Sequence, residues 1–293
     1  MSLPHVDAVE SLRQAVAEAR RAGRTIAFVP TMGALHEGHA SLVRQAAAGA
    51  DSPFVVVSIF VNPTQFRPTE DYSRYPRTLE ADSTLCEKAG AHLIFAPTVE
   101  AMYGAGSFAA GEQASSTFVE VPGLSDVLEG SSRPGHFRGV ATVVAKLFLQ
   151  VQPDVAYFGQ KDAQQLAVIR RMVNELHFPI KIVGCPTLRE PDGLAMSSRN
   201  RYLTPEQRER CTVIYHTLSE AAERVREGER DTGKLQQLMA EMLDQTAGCE
   251  RDYALVVDPL TFQPMKKIKG DALAVVAARF GSTRLIDNML LEP

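Results

Sequence analysis

Phe54-Val55-Val56-Val57-Ser58-Ile59-Phe60-Val61 is the stretch that decides the fold, because β-branched and aromatic residues fill almost all of it. An apolar run of this length predicts a strand buried on both faces, which is typical of a parallel sheet. Shorter apolar runs of the same kind occupy residues 25–30, 92–95, 155–158 and 180–183. Segments with helical spacing precede, separate and follow these runs, at residues 6–21, 38–48, 78–89, 139–151 and 163–176. This alternation predicts an α/β fold, a doubly wound parallel sheet with helices on both faces.

The pattern changes after about residue 186. Two helices are then predicted at residues 205–226 and 232–245, and strands at residues 253–257, 272–278 and 285–286. Helices followed by strands indicate a smaller α+β domain. We therefore predict a first domain at residues 1–186 and a second at residues 187–293.

Composition narrows the class of protein. Of the 293 residues, 45% are hydrophobic and 23% are charged, as in a folded globular chain. The net charge of -4 argues against a broad nucleic-acid-binding surface. No apolar run reaches the ~18 residues of a membrane span, and the first ten residues lack the features of a signal peptide. Four cysteines without metal-ligand spacing indicate reduced thiols in a cytoplasmic protein, and these are Cys86, Cys185, Cys211 and Cys249.

The first chemical motif is Pro30-Thr31-Met32-Gly33-Ala34-Leu35-His36-Glu37-Gly38-His39, between a predicted strand and a predicted helix. Backbone N–H groups at a helix start are unpaired and suit a phosphate group. Two imidazoles at this point can also donate hydrogen bonds to phosphate oxygens. Two other interpretations stay open, a zinc site, although the HExxH spacing is absent, and two surface histidines at a turn.

The second motif is Arg189-Glu190-Pro191-Asp192-Gly193-Leu194-Ala195-Met196-Ser197-Ser198-Arg199-Asn200-Arg201, at the predicted join of the two domains. Its serines offer hydrogen-bond donors, and the planar guanidinium of Arg199 suits phosphate. A mobile basic loop of this kind could close over a triphosphate and exclude water. A solvated loop with an ordinary charge cluster is the alternative.

Together, an early HxGH and a late Met-Ser-Ser-Arg-Asn segment resemble the paired signature of nucleotidyl-transferring α/β enzymes. That resemblance implies ATP bound between the two segments and attack at its α-phosphorus. Three more segments narrow the family: residues 58–66 (Ser-Ile-Phe-Val-Asn-Pro-Thr-Gln-Phe), residues 75–78 (Tyr-Pro-Arg-Thr) and residues 158–166 (Phe-Gly-Gln-Lys-Asp-Ala-Gln-Gln-Leu). With the two motifs, they resemble the pantothenate synthetase family over most of residues 25–205.

The resemblance implies a Rossmann-like first domain, a smaller second domain that acts as a lid, and a homodimer. It implies an ATP-dependent ligase that joins pantoate to β-alanine through a pantoyl adenylate and uses Mg²⁺ with ATP. Catalytic roles fall on His39 as proton donor and on His36, Lys161 and Arg199 as charge stabilisers. ATP binding falls on Met32, Gly33, Ala34, Leu35, His36, Glu37, Gly38, His39, Gly159, Gln160, Lys161, Asp162, Leu188, Met196, Ser197, Ser198 and Arg199. Pantoate binding falls on Gln65 and Gln165, and Gln65 also meets β-alanine.

The side-chain chemistry agrees with these implied roles. Amides such as Gln65 and Gln165 can donate to a carboxylate and accept from a hydroxyl, and pantoate has both groups. Lys161 follows a predicted strand end, where a compact cation can reach a phosphate. Each of these residues could instead be an ordinary solvated side chain. The polar turn at residues 133–138 could support the site or a dimer contact, and it stays outside the predicted site.

The chain departs from the family pattern at two places. Gln160 stands where the family has glutamate, in a position that contributes mainly backbone. Residues 79–82 are poorer in aspartate than in some relatives, which leaves the protein ligands of Mg²⁺ unassigned.

Three rival functions share some of these features. A nucleotidylyltransferase would need HxGH and the basic loop but not the glutamine-rich segments. A small class I aminoacyl-tRNA synthetase would need an RNA-binding surface. A non-catalytic nucleotide-sensing module would bind ATP without releasing AMP.

Overall fold

The computed structural model describes residues 3–67, 70, 72–104 and 117–293. Its strands are β1 (His5–Val6), β2 (Ile26–Thr31), β3 (Phe54–Ile59), β4 (Leu93–Phe95), β5 (Val155–Gly159), β6 (Lys181–Cys185), β7 (Cys249–Val257), β8 (Ala272–Phe280) and β9 (Thr283–Leu291). Its α-helices are α1 (Val9–Arg21), α2 (Glu37–Ala47), α3 (Leu79–Ala89), α4 (Val99–Tyr103), α5 (Glu129–Ser132), α6 (His136–Val151), α7 (Ala163–Glu175), α8 (Pro205–Arg210), α9 (Val213–Arg226) and α10 (Thr232–Asp244). Short 3₁₀ turns occupy Pro63–Gln65, Tyr72–Arg74, Gln160–Asp162 and Ser198–Tyr202.

The chain divides into two compact units. The first comprises Met1–Gln160 and Val168–Cys185, and the second comprises Lys161–Ala167 and Pro186–Pro293.

The first unit contains a parallel sheet in the order β1-β4-β3-β2-β5-β6. Strand order reverses direction between β2 and β5, which pair with each other in the middle of the sheet. Doubly wound sheets bind ligands outside the carboxyl ends of their strands at such a switch point. The α/β fold predicted from the alternation is therefore confirmed, and it places the candidate site at the ends of β2 and β5.

Alternate residues of the central strands form the core on the two faces of this sheet. On one face, Ala27 and Val29 of β2 pack with Val55 and Val57 of β3 against buried residues of α2 and α3. On the other face, α1 packs against α6, and Phe28 of β2 meets Phe148 of α6 edge-on with ring centroids 6.3 Å apart. Burial on both faces explains why these strands are continuously apolar.

The second unit packs helices on a small antiparallel sheet in the order β7-β8-β9. Its core joins buried residues of α9 and α10, such as Leu218 and Met239, with the inward face of β8, such as Ala274 and Val276. The smaller α+β architecture predicted for this region is confirmed. The strand predicted at residues 285–286 is longer than expected, because β9 pairs with β8 along its whole length.

Two predicted helices need correction. The helix predicted from residue 6 begins at Val9, because Val6 belongs to β1, which pairs with β4. The single helix predicted at residues 205–226 is broken between α8 and α9, at Cys211 and Thr212.

Cys86, Cys185 and Cys211 are buried and free, and burial raises the pKa of each thiol, to about 12 for Cys86 and to about 11 for the other two. Within the described ranges, no helix combines the length and the apolar character needed to cross a bilayer.

Candidate active site

The turn after β2 has a backbone conformation that residues other than glycine rarely adopt. Gly33 has a φ of 83° and Ala34 a φ of 52°, both in the left-handed region. A Cβ atom on Gly33 would lie 3.1 Å from Asp82 Oδ2 and 3.1 Å from Ile59 Cγ2. Glycine at this position therefore serves both the backbone angle and the close approach of two neighbours.

A buried carboxylate holds this turn. The Ala34 N–H donates to Asp82 Oδ2 at 3.0 Å, and the Leu35 N–H donates to Asp82 Oδ1 at 2.8 Å. The Thr78 hydroxyl donates to the same Oδ1 at 3.1 Å. Asp82 is only 2% exposed, so these three donors compensate a charge that would otherwise be costly to bury.

The two histidines begin α2 as a reciprocal cap. The Gly38 N–H donates to His36 Nδ1 at 3.1 Å, and the His36 N–H donates to His39 Nδ1 at 3.3 Å. The ring centroids of His36 and His39 are 4.1 Å apart. A neutral imidazole that accepts at Nδ1 carries its hydrogen on Nε2. In the neutral form, each ring is thus an acceptor at Nδ1 and a donor at Nε2.

This arrangement changes the expected role of the helix start. The N–H groups of Ala34 and Leu35 are engaged by Asp82, and those of His36 and Gly38 are engaged by ring nitrogens. The sequence predicted backbone donors for phosphate at this point. In the structure, those four backbone groups have acceptors inside the chain.

The segment after β3 positions Gln65, whose side chain is buried with 8% exposure. The Asn62 Nδ2 group donates to Gln65 Oε1 at 3.0 Å. The Gln65 Nε2 group lies 3.1 Å from Met32 Sδ. The predicted pantoate residue is thus fixed next to the turn that carries the histidines.

A second set of contacts fixes the backbone of Gln65. His136 Nδ1 donates to the Gln65 carbonyl at 2.9 Å, and Arg133 Nη1 donates to His136 Nε2 at 3.0 Å. Burial, reinforced by the charge of Arg133, lowers the pKa of His136 to about 4, so the ring is neutral at pH 7. Arg133 also binds Glu70 through two hydrogen bonds, of 2.9 and 2.6 Å. Burial raises the pKa of Glu70, but the hydrogen bond and charge of Arg133 outweigh it and hold that pKa below its usual value.

The third strand end belongs to β5. Gly159 closes this strand opposite Cys185, and Gln160 follows it directly. Because β5 pairs with β2, and β2 with β3, three adjacent strands end at the same edge of the sheet. The first unit therefore brings together the predicted residues Met32 to His39, Gln65, Gly159 and Gln160.

The second unit carries the other predicted residues. Lys161 is largely buried, with its Nζ 3.7 Å from Asp162 Oδ1, and its carbonyl accepts from Asn288 Nδ2 at 2.8 Å. Gln165 lies in the first turn of α7 and is half-buried. Its neighbour Gln164 is the more buried of the two, with 5% exposure.

The segment at residues 188–202 forms a short hairpin followed by a 3₁₀ turn. Its arms meet where the Met196 N–H donates to the Leu188 carbonyl at 3.0 Å, and Ser197 Oγ then accepts from the Arg199 N–H at 3.3 Å. Arg189 anchors the hairpin through bonds of 2.5 and 3.1 Å to the buried carboxylate of Asp287. The neighbouring Asn288 binds Lys161, so β9 supports both predicted segments of this unit.

Similarity to known proteins extends over nearly the whole chain. The family model described as pantoate-beta-alanine ligase matches residues 5–290. The chain belongs to the pantoate–β-alanine ligase family. A pantothenate synthetase of Pseudomonas entomophila is 55% identical to this ligase over 98% of this chain and 97% of its own. A pantothenate synthetase of Heliobacterium modesticaldum is 51% identical over 97% of this chain and 99% of its own.

Solved structures of similar proteins agree with the fold of the ligase. The crystal structure of pantothenate synthetase from Thermus thermophilus has a TM-score of 0.91 and 46% identity, covering 99% of this chain and 100% of that one. A pantoate-beta-alanine ligase of Francisella tularensis has a TM-score of 0.76 and 32% identity, covering 99% of this chain and 98% of that one. That protein was crystallised in complex with beta-gamma ATP and beta-alanine.

Several supporting residues of the ligase were absent from the predicted site. Asn62 and His136 hold Gln65, and Asp82 holds the histidine turn. Asn62 could have been found as the polar residue directly after a strand end, next to a proline. His136 belongs to the polar turn at residues 133–138, outside the predicted site, and Asp82 belongs to the segment 79–82, where the sequence suggests only a possible metal ligand. Their contacts join residues far apart in the chain, which a sequence pattern does not show.

Proposed function

We propose that this ligase uses ATP to convert pantoate into pantoyl adenylate and then transfers the pantoyl group to β-alanine, releasing AMP and pyrophosphate. The observation that carries the proposal is the paired imidazoles of His36 and His39, fixed through Nδ1 beside Gln65 at the end of β2. The Francisella ligase complexed with beta-gamma ATP and beta-alanine supports the two cosubstrates.

In the first step, a carboxylate oxygen of pantoate attacks the α-phosphorus of ATP. The bond from the α-phosphorus to the bridging oxygen breaks, and pyrophosphate leaves with its electrons. No protein nucleophile is needed, because the substrate supplies the attacking oxygen. The work of the protein is positioning and stabilisation of charge on the leaving group.

The imidazole donors serve this leaving group. His39 and His36 each direct Nε2–H hydrogen bonds at phosphate oxygens of the departing pyrophosphate, and His39 stabilises its charge by this hydrogen bond. Lys161 and Arg199 supply positive charge, and Ser197 and Ser198 supply neutral donors. The other predicted ATP residues shape the nucleotide site. They are Met32 to Gly38, Gly159, Gln160, Asp162, Leu188 and Met196.

The glutamines orient the acid substrate. An amide can donate to the pantoate carboxylate and accept from its hydroxyls at the same time. Gln65 suits this role because Asn62, Met32 and His136 hold both its side chain and its backbone. Gln165 is proposed as the second pantoate ligand, and Gln65 also meets β-alanine.

In the second step, the amine of β-alanine attacks the acyl carbon of the adenylate. The carbon–oxygen bond to the phosphate breaks, AMP leaves, and the amine loses a proton to give the amide. An acyl adenylate reacts with water, so the site must exclude water between the two steps. We propose that the smaller domain acts as the lid.

Mg²⁺ is proposed to enter with ATP rather than on a protein cage. Among the residues that the structure describes, no three His, Cys, Asp or Glu side chains cluster as metal ligands. Both oxygens of Asp82, the carboxylate that binds the turn, accept hydrogen bonds from the chain. Phosphate oxygens and water are the usual ligands of Mg²⁺ in such complexes. A cytoplasmic homodimer is also proposed, by the resemblance to the family.

A product assay tests the proposed function. The purified ligase is incubated with ATP, Mg²⁺ and pantoate, with and without β-alanine, and the nucleotide products are separated. We expect AMP and pyrophosphate in equal amounts, with sustained turnover only when β-alanine is present. Formation of ADP and phosphate would indicate an acyl phosphate instead. A nucleotide retained on the product would indicate a nucleotidylyltransferase, and binding without turnover would indicate a sensing module.

A further inference from the structure

Asp82 is a buried carboxylate without a part in the chemistry proposed above. It lies in α3, 48 residues along the chain from the Ala34 N–H that it accepts. Each of its two oxygens accepts a different backbone N–H of the turn. Oδ2 accepts from Ala34 and Oδ1 accepts from Leu35. The carboxylate can therefore accept both hydrogen bonds in only one backbone conformation of this turn.

That conformation needs an external restraint. The left-handed backbone at Ala34, with a φ of 52°, is unfavourable for a residue with a Cβ atom and persists only where the surroundings fix it. Gly33 packs its α-carbon so closely on Asp82 that an added Cβ would lie 3.1 Å from Oδ2. The turn and the carboxylate are thus in direct contact, so neither can move without the other.

We propose that Asp82 is a positioning residue for the reaction: by clamping the Gly33–Leu35 turn, it sets where the rings of His36 and His39 lie. His36 follows Leu35 directly and caps α2, and the His39 ring rests on the His36 N–H. A shift of the turn therefore moves both rings together. Misplacing a catalytic group by about 1 Å can cost up to ~10²-fold in rate.

The inference rests on the proposed function, and ATP–pyrophosphate exchange in the presence of pantoate measures the relevant step alone. Asp82→Asn keeps the shape of the side chain but turns an amide N–H₂ toward one of the two backbone N–H groups. We expect the kcat of exchange to fall roughly 10- to 100-fold, with the KM for pantoate nearly unchanged. We also expect faster hydrogen exchange at the Ala34 and Leu35 amides.

Two matched variants control for the substitution itself. Asp231 accepts two backbone N–H groups at the start of α10, at 2.8 and 3.3 Å, so Asp231→Asn removes the same kind of clamp elsewhere. Glu80→Gln neutralises an exposed carboxylate in the same helix as Asp82. Both variants are expected to exchange at the wild-type rate.

The outcomes separate the inference from its basis. A wild-type ligase without pantoate-dependent exchange would overturn the proposed function and the inference with it. Normal wild-type exchange together with an unchanged kcat per folded molecule in Asp82→Asn, even at a lower melting temperature, would overturn the inference alone. Recovery of Asp82→Asn at high Mg²⁺ would also overturn it, because Asp82 would then act as an ion ligand.

A milder variant covers the case in which Asp82→Asn does not fold. Thr78→Val removes the hydroxyl that donates to Asp82 Oδ1 and leaves the carboxylate in place. The loss of one hydrogen bond is expected to lower the kcat of exchange about two- to tenfold, in the same direction. An unchanged kcat in this variant would contradict the positioning role.

Discussion

At the scale of single residues, histidine has two different structural roles in this ligase. His36 and His39 are half-buried, and each accepts a backbone N–H at Nδ1. His136 is buried, donates from Nδ1 to a carbonyl and accepts from Arg133 at Nε2. Its ring is a neutral bridge inside the protein, and both of its nitrogens are committed.

The neutral state of His136 predicts a pH dependence of stability. Its pKa falls from 6.5 to about 4 on folding, because burial and the nearby Arg133 disfavour the charged ring. Between these pH values the unfolded chain binds the proton and the folded chain does not. The free energy of unfolding should therefore fall as the pH drops from 6.5 toward 4, by up to roughly 3 kcal/mol from this residue, and be unaffected by it at higher pH.

Denaturant unfolding at a series of pH values checks this prediction. Other acidic groups, such as Glu70, change stability over an overlapping range, so the difference between two proteins is the useful quantity. His136→Gln can still donate to the Gln65 carbonyl, and its curve should be flatter between pH 6.5 and 4. His216→Gln, in an exposed part of α9, is the control. Parallel curves for wild type and His136→Gln would contradict the assignment of a neutral buried ring.

At the scale of secondary-structure elements, one close approach links α6 to the segment after β3. A Cβ atom on Gly139 would lie 2.5 Å from the Thr64 carbonyl oxygen and 2.8 Å from the Gln65 Cα. The Gly139 carbonyl in turn accepts from Asn62 Nδ2 at 3.2 Å. The first turn of α6 is therefore seated on the backbone that carries Gln65.

Gly139→Ala is predicted to destabilise the ligase in spite of the higher helix propensity of alanine. The clash is with backbone atoms, which cannot rotate away, and overpacking of this kind costs about 1–3 kcal/mol. Thermal unfolding followed by circular dichroism should show a lower midpoint. Gly270→Ala is the control, because a Cβ atom there meets nothing within 4 Å. Equal midpoints for the two variants would show that α6 does not need this close approach.

Some of the helices and strands could be predicted from the sequence, and others could not. The central strands and the helices between them were predictable, because burial on both faces gives continuous apolar runs that differ from helical spacing. The break between α8 and α9 was not, because no glycine or proline interrupts residues 206–226. β1 was missed because two residues carry no periodicity, and its pairing with β4 is a contact between distant parts of the chain.

The residues of the candidate site also fall into those that the sequence could predict and those that it could not. The turns after β2, β3 and β5 could be predicted, since motifs at strand ends follow the rule for doubly wound sheets. The residues that hold these turns could not. Asp82 lies 47 residues from the Leu35 N–H that it accepts, and His136 lies 71 residues from the Gln65 carbonyl. Only the fold brings such pairs together.

At the scale of the whole molecule, the two units carry different kinds of predicted site residue. The first unit carries hydrogen-bonding groups, the imidazoles of His36 and His39 and the amide of Gln65. The second offers cations, Lys161 and Arg199, within a chain whose net charge is -4. Local cations can serve a phosphate ligand in a chain that is acidic overall.

Attack of the pantoate carboxylate on the α-phosphorus can be followed through the oxygen atoms of the carboxylate. Pantoate labelled with oxygen-18 at both carboxylate positions is converted with ATP and β-alanine, and the products are examined by mass spectrometry. We expect one labelled oxygen in AMP and one in the amide carbonyl of the product. AMP without the label would contradict such an attack.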